Sequence, residues 1–404
     1  MHIIILTEKR FNEFSNVYDK RNYKQTVEYA NFMYFYDYKK LYIGLEDENN
    51  NLVAATLILE KTLKGKYKVG YAPNGFLIDF NNYNLLEEFT KELKKHLIKL
   101  NYVYLTLDPN FAYKIYDKNK LINKCYPNIL DNMKKLSYIK KENIENKFNA
   151  FLHIKTNIND IYSKFDRNIK RKIKDNNLMG ISFYQENDVD KYFNLVEKKK
   201  VNNLNYYKNL IKCFNNENCK LEIYFSKINP EIYLNNYRYL LKKEQETNYK
   251  LQQKITNLDI KKTIKLLNKK MKSDKLLNKY QNKVIESSQM FSNYPDGLII
   301  CACIIIRTNN TIYFIDEGYN EKYRKIHSLS MLKWEIIKKY NNLNYVNFDL
   351  GLVPSLDNKS RYYGIYQSKI GFNPKIFEYP GTFDLVINKY IYKILSGINY
   401  KNNK

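Results

Sequence analysis

No apolar run in this chain is long enough to cross a bilayer. The longest, Leu298 to Ile306, falls far short of the ~20 residues that a spanning helix needs. The start, Met1-His2-Ile3-Ile4-Ile5-Leu6, passes at once into charged residues, which reads as a first strand and not as a signal peptide. A soluble protein is expected, in the cytoplasm and at most resting on the inner face of the membrane. Cysteine is sparse: Cys125, Cys213, Cys219, Cys301 and Cys303 make an odd five with no CxxC pair. Cys301 and Cys303 stand two apart in an apolar run, so they share one face of a strand. Free buried thiols in a reducing compartment are expected, and a metal site is not. Tryptophan occurs once, and acidic residues are outnumbered, 42 Asp plus Glu against 68 Lys plus Arg, for a net charge of +26. Such a surface attracts nucleic acid, anionic headgroups or phosphorylated substrates. The wealth of Lys, Asn, Ile and Tyr is also what a biased genome produces, so the charge informs association and not fold.

What is present suffices for two cores. The 404 residues exceed one ordinary domain, and 44% are hydrophobic, with 40 tyrosines among the aromatics, which excludes global disorder. Leu41 to Leu45 and Leu52 to Leu59 read as strands joined by the polar turn Asp47 to Asn51. A helix is predicted over 84–100, with Leu85, Phe89, Leu93 and Leu97 on one face. Strand Tyr102 to Leu107 then ends at Asp108-Pro109, because proline removes a ladder donor. Residues 110–150 look irregular. A second unit begins near Phe151 with a basic helix over 158–176, closed by Gly180, and helices over 188–200 and 205–215 follow.

From 231 to 290, apolar residues recur at three- and four-residue steps: Leu234, Tyr237, Leu241, Leu251, Ile255 and Leu258, then Ile264, Leu267, Met271, Leu277, Tyr280 and Val284. Glu244 and Asn248 interrupt the seam. Two helices folded back near Asn257–Lys262 as an antiparallel coiled-coil arm fit best, with one long rod as the alternative. Strands Leu298–Arg307 and Thr311–Asp316, helix Ser328–Tyr340 and strand Tyr345–Leu350 complete the pattern. A strand pair, a helix and a further strand form the core of an acetyltransferase-type fold. The loop opening that helix, Tyr323 to Ser328, has no glycine. A backbone without glycine does not closely approach a pyrophosphate, which argues against coenzyme A and against an ordinary N-acetyltransferase.

Seven segments, in order over nearly the whole chain, carry a resemblance. They are Tyr71-Ala72-Pro73-Asn74-Gly75 with Asp79, Tyr104 to Pro109, Arg167 to Arg171 and Tyr206 to Leu210. Further on come Trp334 to Ile337, Gly364 to Phe372, and Phe383-Asp384-Leu385 with Asn388-Lys389. Together they resemble the FemABX family, the non-ribosomal peptidyltransferases that build peptidoglycan interpeptide bridges. The resemblance implies an α/β (α+β) fold of two acetyltransferase (GNAT)-like domains. The first would span 1–150 plus about 381–404 and the second 151–380, with the arm 231–290 inserted. It implies transfer of an amino acid from aminoacyl-tRNA to the side-chain amine, or the growing bridge, of a peptidoglycan precursor, without coenzyme A or another cofactor. The expected partners are aminoacyl-tRNA, a lipid-linked precursor, the membrane surface, and a second copy or paralogue of the chain.

The resemblance also assigns residues. Lys369 matches the lysine proposed to stabilise the developing oxyanion, and otherwise reads as an exposed loop lysine. Its neighbour Ser368 stands where the family usually has Phe. Asp108, at a strand end, would accept the amine's proton or fix its ammonium, and otherwise caps the strand. Tyr206 and Tyr313 match acceptor-lining positions, or are core. Two phosphate-binding cations are missing, at Met33 and Asn202, with Lys198, Lys199 and Lys200 nearby as substitutes. Lys164, Arg167, Lys170, Arg171 and Lys174 on the basic helix, with the arm, are the candidates for tRNA contact, since lysine-rich helices grip phosphates without reading sequence. The lost charges also motivate a competing reading, a non-catalytic relative that only binds tRNA or precursor.

Overall fold

The computed structural model describes the chain except residues 64, 142–147, 197–201, 256–259, 358, 362, 403 and 404; at 260–262 and 397–402 it describes backbone alone. Lys198 to Lys200, Tyr362 and most of the expected fold-back at 257–262 therefore lie outside the described residues or side chains.

Strand Leu52–Thr62 is buried from Ala54 to Glu60. Because side chains alternate along a strand, Ala54 and Ile58 enter one core while Ala55, Leu57 and Leu59 enter another. The first core is closed by Leu86, Phe89, Leu93 and Leu97 of helix Tyr83–Lys99. The second is closed by Phe11, Val27 and Ala30, from helices Glu8–Val17 and Val27–Tyr34. Strand Leu298–Arg307 repeats the device. Cys301, Cys303 and Ile305 face a core shared with Met331, Leu332 and Trp334, and Ala302, Ile304 and Ile306 face the opposite one. The two cysteines thus share a buried face, and all five thiols are free.

Among the described residues the strands form two sheets. The first has seven strands, in the order His2–Ile5, Lys39–Glu46, Leu52–Thr62, Lys68–Ala72, Tyr102–Leu107, Phe383–Val386, Tyr138–Lys140. The second has ten, centred on Cys219–Ile228, Leu298–Arg307, Thr311–Tyr319 and Asn347–Val353. Each sheet contains the same unit. Two antiparallel strands are followed by a crossover helix and a strand that returns parallel to the second. In the first sheet the helix is Tyr83–Lys99, and in the second it is Ser328–Asn342. The fold is α/β, with two acetyltransferase-like units.

Three expectations change. The described residues between 110 and 141 include regular elements: strands Lys114–Asp117 and Lys120–Lys124 form a hairpin joined to the second sheet through Lys375–Glu378, and Tyr138–Lys140 joins the first sheet through Phe383–Val386. Their partners come from the distant carboxyl end, so the local sequence carries little sign of them. The basic helix over 158–176 is two helices, Ile158–Lys164 and Arg167–Leu178. Phe165 turns into the core between them, and Asp166 caps the second by accepting from Ile169 N at 2.7 Å. The arm consists of helices Pro230–Ile255 and Ile260–Asn293, packed antiparallel, with Tyr233 donating to Glu286 and Tyr237 beside Tyr280. Its distal seam is shifted from the expected one. Ile264, Leu267 and Met271 are exposed, while Ser273 is buried and hydrogen-bonds to Glu244 and Asn248, the two residues that seemed to interrupt the pattern. No described helix is long and apolar enough to cross a membrane.

Candidate active site

The parallel strands of the second sheet do not stay together. Thr311–Tyr319 and Asn347–Val353 pair only at Thr311 to Tyr313 with Asn347 to Asp349. Beyond that point they part, and Gly351 makes the turn away with φ +83°, a conformation that suits glycine. A cavity of about 760 Å³ opens in the gap, lined by Phe314, Ile315 and Glu317 on one strand and Asp349 to Leu352 on the other. The facing wall is the carboxyl end of the first sheet's parallel pair, with Tyr71, Asn74, Thr106 and Asp108, and Lys24 reaches in from the loop before helix Val27–Tyr34. A concave site between two sheets, with a few polar groups converging on it, is where a ligand is expected.

Lys369 closes one side. It lies on helix Tyr363–Ile370, not in a loop, and its Nζ donates to the Leu352 carbonyl at 2.6 Å. Burial, reinforced by the Lys333 ammonium, lowers its pKa to about 8, with Glu317 and Asp349 opposing the shift. Lys333 is itself buried and paired with Glu317 at 2.6 Å. Lys369 is therefore a cation at neutral pH whose charge is poorly solvated, the condition under which it most strengthens a developing negative oxygen. Ser368 is exposed at the rim and spends its hydroxyl on the Ile365 carbonyl at 2.7 Å.

Asp108 sits opposite, on the first sheet. Its Oδ2 accepts from Tyr71 OH and its Oδ1 from Asn74 N, both at 3.0 Å. Burial raises its pKa, against the pull of Lys24 and these two donors. Its carboxylate thus caps the turn after the neighbouring strand Lys68–Ala72, not the turn after its own, and it also lines the cavity. Tyr313 lines the cavity too, but its hydroxyl is committed to the Arg21 carbonyl at 3.1 Å and its ring packs on Tyr23.

The sequence reading missed Asp349. It is 4% exposed and lies where the parallel strands separate, with Oδ1 accepting from Gly351 N at 2.7 Å and Oδ2 from Asn149 Nδ2 at 3.0 Å. Burial raises its pKa to about 6 although Gly351, Lys369, Asn149 and Lys24 all favour the charged form. Perturbed acids and bases gathered in one cleft mark a functional site. The available signal was an aspartate between Phe348 and Leu350, two residues before a glycine. Tyr71 and Lys24 were likewise not singled out as site residues.

Other candidates lie elsewhere. Tyr206 packs edge-on against Phe32 at 5.2 Å and beside Tyr36, outside the lining of the cavity. Asn202 is exposed, next to Tyr207, whose hydroxyl donates to Asp316 at 2.6 Å. Met33 packs among apolar side chains of two cores. Lys164, Arg167, Arg171 and Lys174 are exposed, and Lys170 is half-buried with its Nζ on the Ser163 carbonyl. None of these five lines the cavity. Arg171 and Lys172 lie near Arg324 and His327, and these cations together with burial lower the His327 pKa. A basic surface thus surrounds the amino end of helix Ser328–Asn342.

Two acetyltransferase-like units enclosing a cleft with the half-buried ammonium of Lys369, the half-buried carboxyl of Asp108 and the buried carboxyl of Asp349 are the frame of an acyltransferase. The match to the FemAB family model runs over residues 6–400, and the chain belongs to that family. It is 24% identical over 422 residues to aminoacyltransferase FemA of Staphylococcus epidermidis, covering 96% of this chain and 97% of the relative. It is 23% identical over 425 residues to aminoacyltransferase FemA of Staphylococcus aureus, covering 96% of each. The crystal structure of FemX superposes with a TM-score of 0.75 at 16% identity, over 98% of this chain and 99% of that one, and so shares the fold.

Proposed function

We propose that the protein transfers an aminoacyl group from aminoacyl-tRNA to an amine of a peptidoglycan precursor, in the building of an interpeptide bridge. The observation that carries this reading is the cavity between the sheets, with Lys369 on one side and Asp108 on the other, in a chain related end to end to FemA aminoacyltransferases. The ester of the donor is already activated, so aligning amine and carbonyl supplies up to ~7–11 kcal/mol of the acceleration. Lys369 stabilises the carbonyl oxygen as negative charge develops on it. Asp108, with Tyr71, orients the acceptor amine. Tyr313 supports the wall through its ring, and Ser368 meets the donor at the rim. Lys164, Arg167, Lys170, Arg171 and Lys174 form the surface that takes the tRNA backbone, continued by the basic group at Arg324.

No cofactor takes part. The segment expected to cradle a pyrophosphate is a tight helix, Glu321–Ile326, ending at His327 with φ +58°, and its lack of glycine keeps the backbone from closing on phosphates. The acceptor is lipid-linked, and the protein meets it at the inner face of the membrane. Because Met33 and Asn202 leave no cation at the two diphosphate positions, the acceptor site suits extension of an existing bridge. Purified protein incubated with individual charged tRNAs and precursors with and without a first bridge residue is expected to extend the latter less. No transfer from any charged tRNA to either acceptor would refute the reading and favour a binding-only role.

A further inference from the structure

Aminolysis of an ester needs a group that carries a proton away from the attacking nitrogen, and Lys369, a cation at neutral pH that faces the carbonyl oxygen, does not serve as that group there. Two carboxyls border the cavity, and their placement relative to Lys369 distinguishes them. Asp108 belongs to the opposite sheet, and its oxygens are held by Tyr71 and Asn74 of that same sheet. Asp349 stands on the same side as Lys369. A Cβ on Gly351 would lie 3.3 Å from Lys369 Nζ, and Gly351 N donates to Asp349 Oδ1 at 2.7 Å. One glycine therefore separates the cation from the carboxylate. An ester carbonyl whose oxygen meets Lys369 brings its carbon, and the nitrogen attacking it, toward Asp349.

We propose that Asp349 is a catalytic residue of this reaction, the base that takes the proton of the attacking nitrogen and passes it to the departing ribose oxygen. The assignment rests on the aminoacyl-transfer reading above. The acceptor reacts as the free amine. Its lone pair forms the C–N bond, and the carbonyl π pair moves onto oxygen, facing Lys369. The nitrogen proton goes to the Asp349 carboxylate. When the C=O bond re-forms, the ester C–O bond breaks with its electron pair on the ribose oxygen, which takes that proton. Amine and aminoacyl ester become amide and free ribose hydroxyl, and Asp349 is again a carboxylate.

The surroundings suit that task. Tyr313 lies across from Asp349 in the strand register, Tyr23 and Lys24 face it from the loop before helix Val27–Tyr34, Lys369 from helix Tyr363–Ile370, Asn149 from strand Phe148–His153, and Tyr379 from the segment after Lys375–Glu378. The tyrosines have raised pKa values and stay neutral, so Lys24 and Lys369 are the charges that act on it. Burial outweighs them and leaves the carboxyl at about 6, basic enough to accept a proton and ionised at neutral pH.

The test is the single-turnover rate of transfer from about pH 5 to about pH 8 with both substrates saturating, using the charged tRNA that supports wild-type transfer. Protonation of the acceptor amine lowers the rate with acid throughout this range, and wild type is expected to show an additional fall below about pH 6. Asp349→Asn is expected to slow transfer about a hundredfold or more and to abolish that acidic fall, with charged-tRNA affinity unchanged. Asp108→Asn should keep the fall. The Asn variant has a way to fold: Asn149 Oδ1 is buried without a partner, so reversing that amide lets it accept from the new side chain. Should it nevertheless fail to fold, Asn149→Ala removes a donor that favours the charged form and should move the acidic fall to higher pH. An Asp349→Asn rate within about fivefold of wild type with the fall intact, or an unmoved fall in Asn149→Ala, overturns the assignment. A wild type that transfers nothing overturns the function itself, and the assignment with it.

Discussion

The two parallel strand pairs are built from the same unit and end differently. In the first sheet, Lys68–Ala72 and Tyr102–Leu107 pair at five residues, with one register shift after Lys68, up to Ala72 with Leu107. In the second, pairing stops after three, at Tyr313 with Asp349. The first pair is sealed by packing: a Cβ at Gly70 would meet Ile58, Tyr102 and Leu105 at 2.9–3.0 Å. The second is held apart at Gly351, where the nearest atom to such a Cβ is the Lys369 ammonium. One copy of the unit serves as scaffold and wall, and the other opens a place for a substrate. The comparison teaches that a duplicated framework can be specialised by where a strand ladder stops.

The largest expected effect follows from the opened pair. Lys369→Met should lower the transfer rate by about 10²–10³-fold, in line with removal of one oxyanion donor, with the melting temperature retained. A near-wild-type rate would take Lys369 out of the mechanism. A glycine pair sharpens the contrast next. Gly351→Ala meets a strained backbone and crowds Lys369, so the rate per folded molecule should fall about tenfold, with about 1 kcal/mol of stability lost. Gly70→Ala should destabilise the fold by about 1–3 kcal/mol through overpacking while folded molecules keep their rate. Equal activity losses in the two variants would break the distinction between scaffold and site. The smallest effect belongs to the basic surface. Arg171→Gln with Lys174→Gln should raise the KM for charged tRNA several-fold and flatten its salt dependence by about two phosphate contacts, with kcat unchanged.

Much of the scaffold was legible. Strands Leu52–Thr62, Tyr102–Leu107 and Leu298–Arg307 are apolar runs, and helix Tyr83–Lys99 shows its buried face by periodicity. Strand Cys219–Ile228 was not legible, because Lys220, Glu222, Ser226 and Lys227 interrupt its apolar residues. Glu222 is tolerated there because Arg307 and Tyr224 satisfy it, contacts visible only after folding. The hairpin Lys114–Lys124 failed for a related reason, since its second strand is fully exposed and its first is paired through residues near 377. The site divided the same way. Lys369, Ser368, Asp108 and Tyr313 line one cavity, and each lies in or beside a segment recognisable in the sequence. Asp349 looked like an ordinary polar residue near a strand end. Its raised pKa comes from burial, while its hydrogen bond to Asn149, 200 residues away, and the strand separation beside it leave no local pattern in the sequence.

The central claim is that the reacting ester sits where the second sheet's parallel strands part. A crystal structure of the protein with a non-hydrolysable aminoacyl-adenosine analogue tests it most directly. The analogue's carbonyl oxygen is predicted within hydrogen-bond distance of Lys369 Nζ, about 2.7–3.1 Å, between Phe314 and Leu352. An analogue seated instead at the first sheet's closed pair, or against Phe32 and Tyr206, would contradict the account.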